Sequence, residues 1–421
     1  MHPLRLVISL IGLPLLLPAQ TSVTGWQSDI KHLQTAVVEK LPWFFSRHPA
    51  KEFAMDLDKL SSALSGKSDF QIALQIQSVL GKGKDVHTCV DLMPLLLKEN
   101  PIPLGLGYYD KDIYVSGTVK RFEKAMGKKV VAINQMPIKE VINRIGEFTP
   151  RENEFTVYRD GLNLLRFPSA FRLAGIAAND TLNLLLESSQ GEQTVVPVFP
   201  INLRNPKDMM PLNSQTPSGE PRWQPMQSFF SNVWLEEDRI LYIRIDRCMS
   251  AEMALEQGDT ALAMQFPPFR PFADSLFAFL ERTPEARLLI DLRFNPEGAP
   301  QDGYRLIERI AENPTLNQGK KVFVAVNLYT SAGALAVAAR FKRDTRATLI
   351  GEIPGGRPNI SVRKGSFSLP NTKLRVLFST DTEKILKGNP DTLRPDIPVT
   401  LPYADFKAGK DPLLDFIRNT Q

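Results

Sequence analysis

Leu57, Leu60 and Leu64, then Ile72, Leu74, Ile76 and Leu80, recur at mixed three-to-four spacing among polar residues. That rhythm gathers apolar side chains on one side of a helix. Helices are therefore predicted between Gln20 and Leu80, with Ser68-Asp69 as a cap. The turn-rich run Gly81-Lys82-Gly83-Lys84-Asp85 leads on to His87. From Ile102 to Pro206 the apolar runs become short and alternate with turns. Strands are predicted at 112–115, 129–134, 181–186 and 194–198, with a short helix from Ile138 to Ile145. Residues 204–226, rich in Pro, Asn, Ser and Gln, read as a linker or long loop.

Beyond Ser228 the pattern changes again. Apolar strands are predicted at 240–245, 287–292, 321–326 and 347–351. Helical stretches at 271–281, 303–312 and 331–341 lie between them. Near-continuous apolar strands alternating with helices imply an α/β class with a mainly parallel, layered core. The chain thus divides into a leader (1–19), a helical segment (20–100), a small β-rich module (101–206), a linker (207–227) and an α/β core (228–421).

Composition narrows the function classes. Of 421 residues, 43% are apolar and 23% charged, which is a globular profile. The net charge of +5 is spread without a long Lys/Arg run, which argues against a dedicated nucleic-acid protein. His2 and Arg5 precede an apolar stretch from Leu6 to Ala19, interrupted by Gly12, Pro14 and Pro18. It is short for a membrane span and fits a secretory signal with cleavage near Ala19, so an exported mature chain without a membrane span is expected. In an oxidising compartment Cys89 and Cys248 either pair or are two small buried hydrophobes; the sequence leaves both open. No His-Glu-x-x-His or Cys-x-x-Cys pattern points to a metal, and no cofactor is expected.

Candidate chemistry sits where strands end. After Val322 to Val326 comes Asn327-Leu328-Tyr329-Thr330-Ser331-Ala332-Gly333. A serine where a helix begins is placed for nucleophilic attack, with free N–H groups nearby to stabilise an oxyanion. Taken alone, the segment reads more readily as an ordinary N-cap, for which serine is among the commonest residues. Asn295-Pro296-Glu297-Gly298 follows another strand as a turn whose backbone amides suit an oxyanion hole. Gly355-Gly356 follows a third, permitting close approach or positive φ.

Together these pieces resemble the S41 peptidase family, the C-terminal processing and tail-specific proteases with their tricorn and retinoid-binding relatives. The resemblance spans about Ile240 to Ile417. It rests on Ile290-Asp291-Leu292-Arg293 with Asn295 and Gly298, Thr330-Ser331-Ala332, and Gly351-Glu352 with Gly355-Gly356. Leu369-Pro370-Asn371, Pro395-Asp396-Ile397 and Gly409-Lys410-Asp411-Pro412 come after them in order. It implies a crotonase-like ββα-spiral core with Ser331 as nucleophile, Ala332 and Gly298 as oxyanion donors, and Gly355 and Gly356 against substrate. Further back, Asp85-Val86-His87-Thr88 looks like the family's Asp-Gly-His-Thr element. Val131 to Ile138 looks like part of its PDZ-like module, with Gln135 in place of a glycine.

The base that activates the serine is then constrained. At the lysine position of the processing-protease branch stands Arg357, which stays protonated and cannot accept the proton. The only histidines are His2, His32, His48 and His87, and of these His87 alone lies in a matching element. The resemblance implies His87 as general base. Glu383 is the candidate for the acid that orients it; Asp85 is also near in sequence. Glu297 replaces the first of the family's paired glycines, and a side chain pointing into the site would repel an oxyanion. The readings are an exported serine peptidase acting on peptide or protein substrates, or a catalytically degenerate relative that binds peptides or apolar ligands in the same cleft. An acyl-CoA enzyme of crotonase type shares the core topology but does not fit export.

Overall fold

The computed structural model of the chain describes residues 20–202, 209–211, 229–296 and 298–420. The leader at 1–19, most of the 207–227 linker and Glu297 lie outside the described residues.

Three α-helices open the described chain: Val23–Lys40, Ala50–Ser62 and Asp69–Gly81. The third begins with a full capping box. The Gln71 amide donates to Ser68 Oγ at 3.2 Å, and the Ser68 amide donates to Gln71 Oε1 at 3.1 Å. A seven-stranded, largely antiparallel sheet comes next, with main order Leu104–Tyr109, Asp112–Thr118, Lys129–Ile133, Leu182–Glu187 and Gln193–Val198. The helix Ile138–Gly146 packs against it through Val141, Ile142 and Ile145. Within the expected linker, Met210–Pro211 forms a short strand paired with Gly117 and Thr118. One continuous apolar core joins helices and sheet, from Trp26 and Leu33 to Leu184 and Val198.

The six-stranded sheet of the second half has the order Ile397–Pro398, Thr348–Gly351, Val322–Val326, Arg287–Asp291, Ile240–Ile245, Phe230–Leu235. All its pairs are parallel except the last. Helices Phe269–Arg282, Gln301–Glu312 and Ala332–Asp344 cover one face through Leu276, Ile307 and Val337. Leu413, Leu414 and Ile417 of the helix Pro412–Arg418 cover the other, against Tyr242, Leu289 and Phe323. Every residue of Val322–Val326 is buried, as its apolar run requires. This is the α/β layering expected from the alternation of strands and helices.

A hairpin of Ser361–Ser368 and Arg375–Thr382 ties the two halves together. It pairs with Cys89–Val90, and Leu369, Val376 and Phe378 enter the core of the first half. At its tip the buried Asp29 carboxylate accepts the amides of Asn371 and Thr372 at 2.7 and 2.8 Å. The Asn371 amide group and the Thr372 hydroxyl also donate to it. Neither cysteine forms a disulfide: Cys89 lies on this small sheet and Cys248 in the core of the second half.

Candidate active site

The strand Val322–Val326 ends at Asn327, and a network of short bonds fixes the residues leading to Ser331. Thr330 Oγ1 donates to the Leu292 carbonyl at 2.9 Å and accepts the Asn327 amide at 3.0 Å. Asn327 Oδ1 accepts the amides of Phe294 and Tyr329 at 3.0 and 3.1 Å. The ends of two neighbouring parallel strands are thus sewn together, and the Ser331 amide completes the seam by donating to the Asn295 carbonyl at 3.0 Å.

Ser331 occupies the N-cap position of the helix Ala332–Asp344, with φ −147° and ψ 178°, but its hydroxyl does not cap that helix. It donates instead to the Pro296 carbonyl at 2.7 Å. Ala332 is at φ +48°, a left-handed conformation seldom adopted by a residue with a Cβ. As the first helical residue, its N–H has no acceptor within the helix. The Gly333 amide donates to the Gly298 carbonyl at 3.1 Å, which brings the Asn295–Gly298 turn against the helix start. Gly298 has φ +106°, and a Cβ there would lie 2.1 Å from the Cys248 carbonyl oxygen. Only glycine fits. Asn295 Nδ2 braces this turn from below, donating to the Ile245 carbonyl at 2.9 Å and reaching Cys248 Sγ at 3.4 Å. Burial pushes the Cys248 thiol up to about 12, so this sulfur stays protonated and serves packing.

The other expected residues lie on separate elements. His87, half-buried, lies in the turn before Cys89–Val90. Its amide donates to Asp85 Oδ1 at 3.3 Å, and Thr88 Oγ1 donates to Asp85 Oδ2 at 2.6 Å, so Asp85 shapes the turn. The Ser331 hydroxyl is engaged by the Pro296 carbonyl in this structure. Glu383 accepts the Tyr304 hydroxyl at 2.9 Å from the helix Gln301–Glu312. Gly355 donates its amide to the Leu328 carbonyl at 2.9 Å. A Cβ on Gly356 would sit 3.0 Å from Leu335 Cδ2. Neither glycine has positive φ; close packing beside the strand end that carries Ser331 is what favours small residues there.

Several motif residues turn out to hold the fold. Arg293 is buried between two carboxylates, donating to Asp291 at 2.9 and 2.7 Å and to Asp411 at 2.9 and 2.7 Å. Tyr242 donates its hydroxyl to Asp291 at 2.5 Å. Asp411 also caps the last helix, accepting the Leu413 amide at 3.1 Å. Arg357 is buried, donates its amide to Glu152 Oε2 at 2.8 Å and forms an ion pair with Asp391. Burial pushes the Glu152 carboxyl up to about 7, against the opposing pull of the Arg357 amide.

An aromatic pair near the serine is absent from the sequence expectations. Phe294, at φ +62° and 42% exposed, stacks on Tyr329 with ring centroids 5.6 Å apart and planes 21° from parallel. Both rings flank the seam that carries Ser331. Two aromatics at the ends of adjacent predicted strands are the signal the sequence offers for it.

No protein-family model matches the chain, and no curated protein matches it in sequence. Solved structures do. Mature CPAF complexed with lactacystin aligns with a TM-score of 0.63 and 13% identity, over 94% of this chain and 98% of that one. Mature CPAF alone aligns with a TM-score of 0.59 and 12% identity, over 94% and 96%. The tricorn protease aligns over 94% of this chain and 36% of that one, with 13% identity and a TM-score of 0.41. Over nearly its whole length the chain has the fold of CPAF, and its structural neighbours are serine peptidases of the S41 family that the sequence resembles.

Proposed function

We propose that the chain is an exported serine peptidase in which Ser331 is the nucleophile and His87 the general base. The observation that carries this reading is the conformation at the strand–helix junction. Ser331 stands at a helix start with its hydroxyl not used as a cap, and the next residue is at φ +48°. Non-glycine residues in that region cost free energy and persist where the surroundings impose them, often at functional sites. In this reading Ser331 Oγ turns from the Pro296 carbonyl toward His87 and attacks the substrate carbonyl. His87 takes the hydroxyl proton and returns it to the departing amine. The Ala332 and Gly298 amides receive the oxyanion. Water, deprotonated by His87, then releases the acyl group from Ser331. The Phe294–Tyr329 pair forms an apolar wall for a substrate side chain, and Gly355 and Gly356 let the substrate backbone come close. The core is read as a crotonase-like spiral and the 101–206 module as a PDZ-like peptide-binding unit.

The degenerate-binder reading is favoured by one observation, the engagement of the Ser331 hydroxyl by Pro296. Labelling of the purified mature protein with a fluorophosphonate separates the two. Wild type is expected to label, Ser331→Ala not at all, and His87→Ala at least about 100-fold more slowly. Well-folded wild type that takes up no label overturns the peptidase and leaves the binder.

A further inference from the structure

A cavity of about 460 Å³ lies between the helical segment, Glu152 of the β-rich module, and the second half of the chain. Two buried side chains in its lining carry unused polar atoms. Ser379 is 6% exposed and its hydroxyl has no partner. Arg357 is 7% exposed and its Nε is unpartnered, although the far end of the guanidinium pairs with Asp391. Both atoms are hydrogen-bond donors, and leaving buried donors unmet is costly.

Four cations and three carboxylates share the lining. Arg47, Lys84 and Lys384 line the cavity with Arg357. Arg47 donates to the carbonyls of Gly83 and Lys84 at 3.2 and 2.8 Å and is in no ion pair among the described residues. Burial first, then the neighbouring Arg357 cation, hold the Arg47 guanidinium below its usual range. Of the acids in the lining, Asp85 is committed to its turn, and Asp381 accepts the Thr382 amide at 2.9 Å. Glu152 accepts the Arg357 amide.

We propose that this cavity is a binding site for an oxyanion, a carboxylate or phosphate group, held by Arg357 Nε, the Ser379 hydroxyl and Arg47. Such a group supplies acceptors to both unused donors and relieves the repulsion between the two arginines. The volume exceeds a single ion, so the oxyanion belongs to a small organic ligand or to an acidic side chain of a peptide. The site does not depend on the peptidase reading, since binding requires nothing of Ser331.

Calorimetric titration at constant ionic strength tests it, with inorganic phosphate, succinate and an end-blocked tripeptide containing one aspartate as probes. Wild type is expected to bind at least one. Preference for succinate or phosphate identifies a free ligand; preference for the peptide identifies a substrate side chain. Ser379→Ala is expected to weaken binding severalfold and Arg357→Gln about tenfold. Lys384→Gln, at an exposed position where folding is not at risk, is expected to weaken it two- to threefold. The proposal is overturned if wild type binds none of the probes, if folded Ser379→Ala and Lys384→Gln both bind as wild type does, or if chloride gives the same heat.

Discussion

At Ala332 the backbone holds a left-handed conformation next to the candidate nucleophile, and the cost depends on the side chain. Ala332→Gly is expected to stabilise the fold by roughly 0.5–1 kcal/mol, and Ala332→Val to destabilise it by about 1–2 kcal/mol. Urea unfolding of both variants reads the difference. At Gly298 the constraint is contact as well as conformation. A methyl group 2.1 Å from the Cys248 carbonyl oxygen forces the turn to move. Gly298→Ala is expected to cost about 2–4 kcal/mol and to lower fluorophosphonate labelling even at temperatures where the protein stays folded. What was legible at this scale was position. Ser331 reads from a buried strand running into small residues, and Gly298 from a turn after another strand. The bond from Ser331 to Pro296 was not legible, because it depends on how two strand ends 35 residues apart meet.

At the scale of elements, the end of the strand Arg287–Asp291 is tied to the last helix. Asp291 leaves one strand, Arg293 turns back over it, and Asp411 reaches in from the cap of Pro412–Arg418. Burial alone would raise the Asp291 carboxyl, but Arg293 beside it outweighs burial and holds it below its usual range. Its contribution to stability is therefore full above about pH 4 and is lost as pH falls through its depressed folded value. Asp411→Ala removes one partner of a buried cation and is expected to cost about 3–5 kcal/mol by chemical denaturation at neutral pH. The long apolar strands and amphipathic helices of this half were readable because burial on both faces leaves a continuous signature. The hairpin Ser361–Ser368 with Arg375–Thr382 was not, because its pairing with Cys89–Val90 is set across most of the chain. Short helices such as Phe155–Asp160 and Ala251–Glu256 carry too few turns to show a period.

Across the whole molecule, Glu152 and Asn153 link the β-rich module to the second half. Asn153 Nδ2 donates to the carbonyls of Gly356 and Asp391 at 2.9 and 3.1 Å, while Glu152 meets the Arg357 amide. With its folded value raised to about 7, the Glu152 carboxyl contributes stability below about pH 4.5 that is lost as pH rises towards 7. Glu152→Gln keeps an acceptor for Arg357 and is expected to flatten stability against pH across that window, as thermal unfolding at stepped pH will read. The hairpin acts in time as well as in space. The core that holds Trp26, Leu74 and Val90 is completed by Leu369, Val376 and Phe378. A ribosome adding about 5–20 residues per second needs roughly 15–60 s to travel from the first of these groups to the second. For that interval the leading helices present an uncovered apolar flank. A nascent chain halted midway is therefore expected to be captured by holdase chaperones and cut readily by protease, and the released full-length chain to escape both.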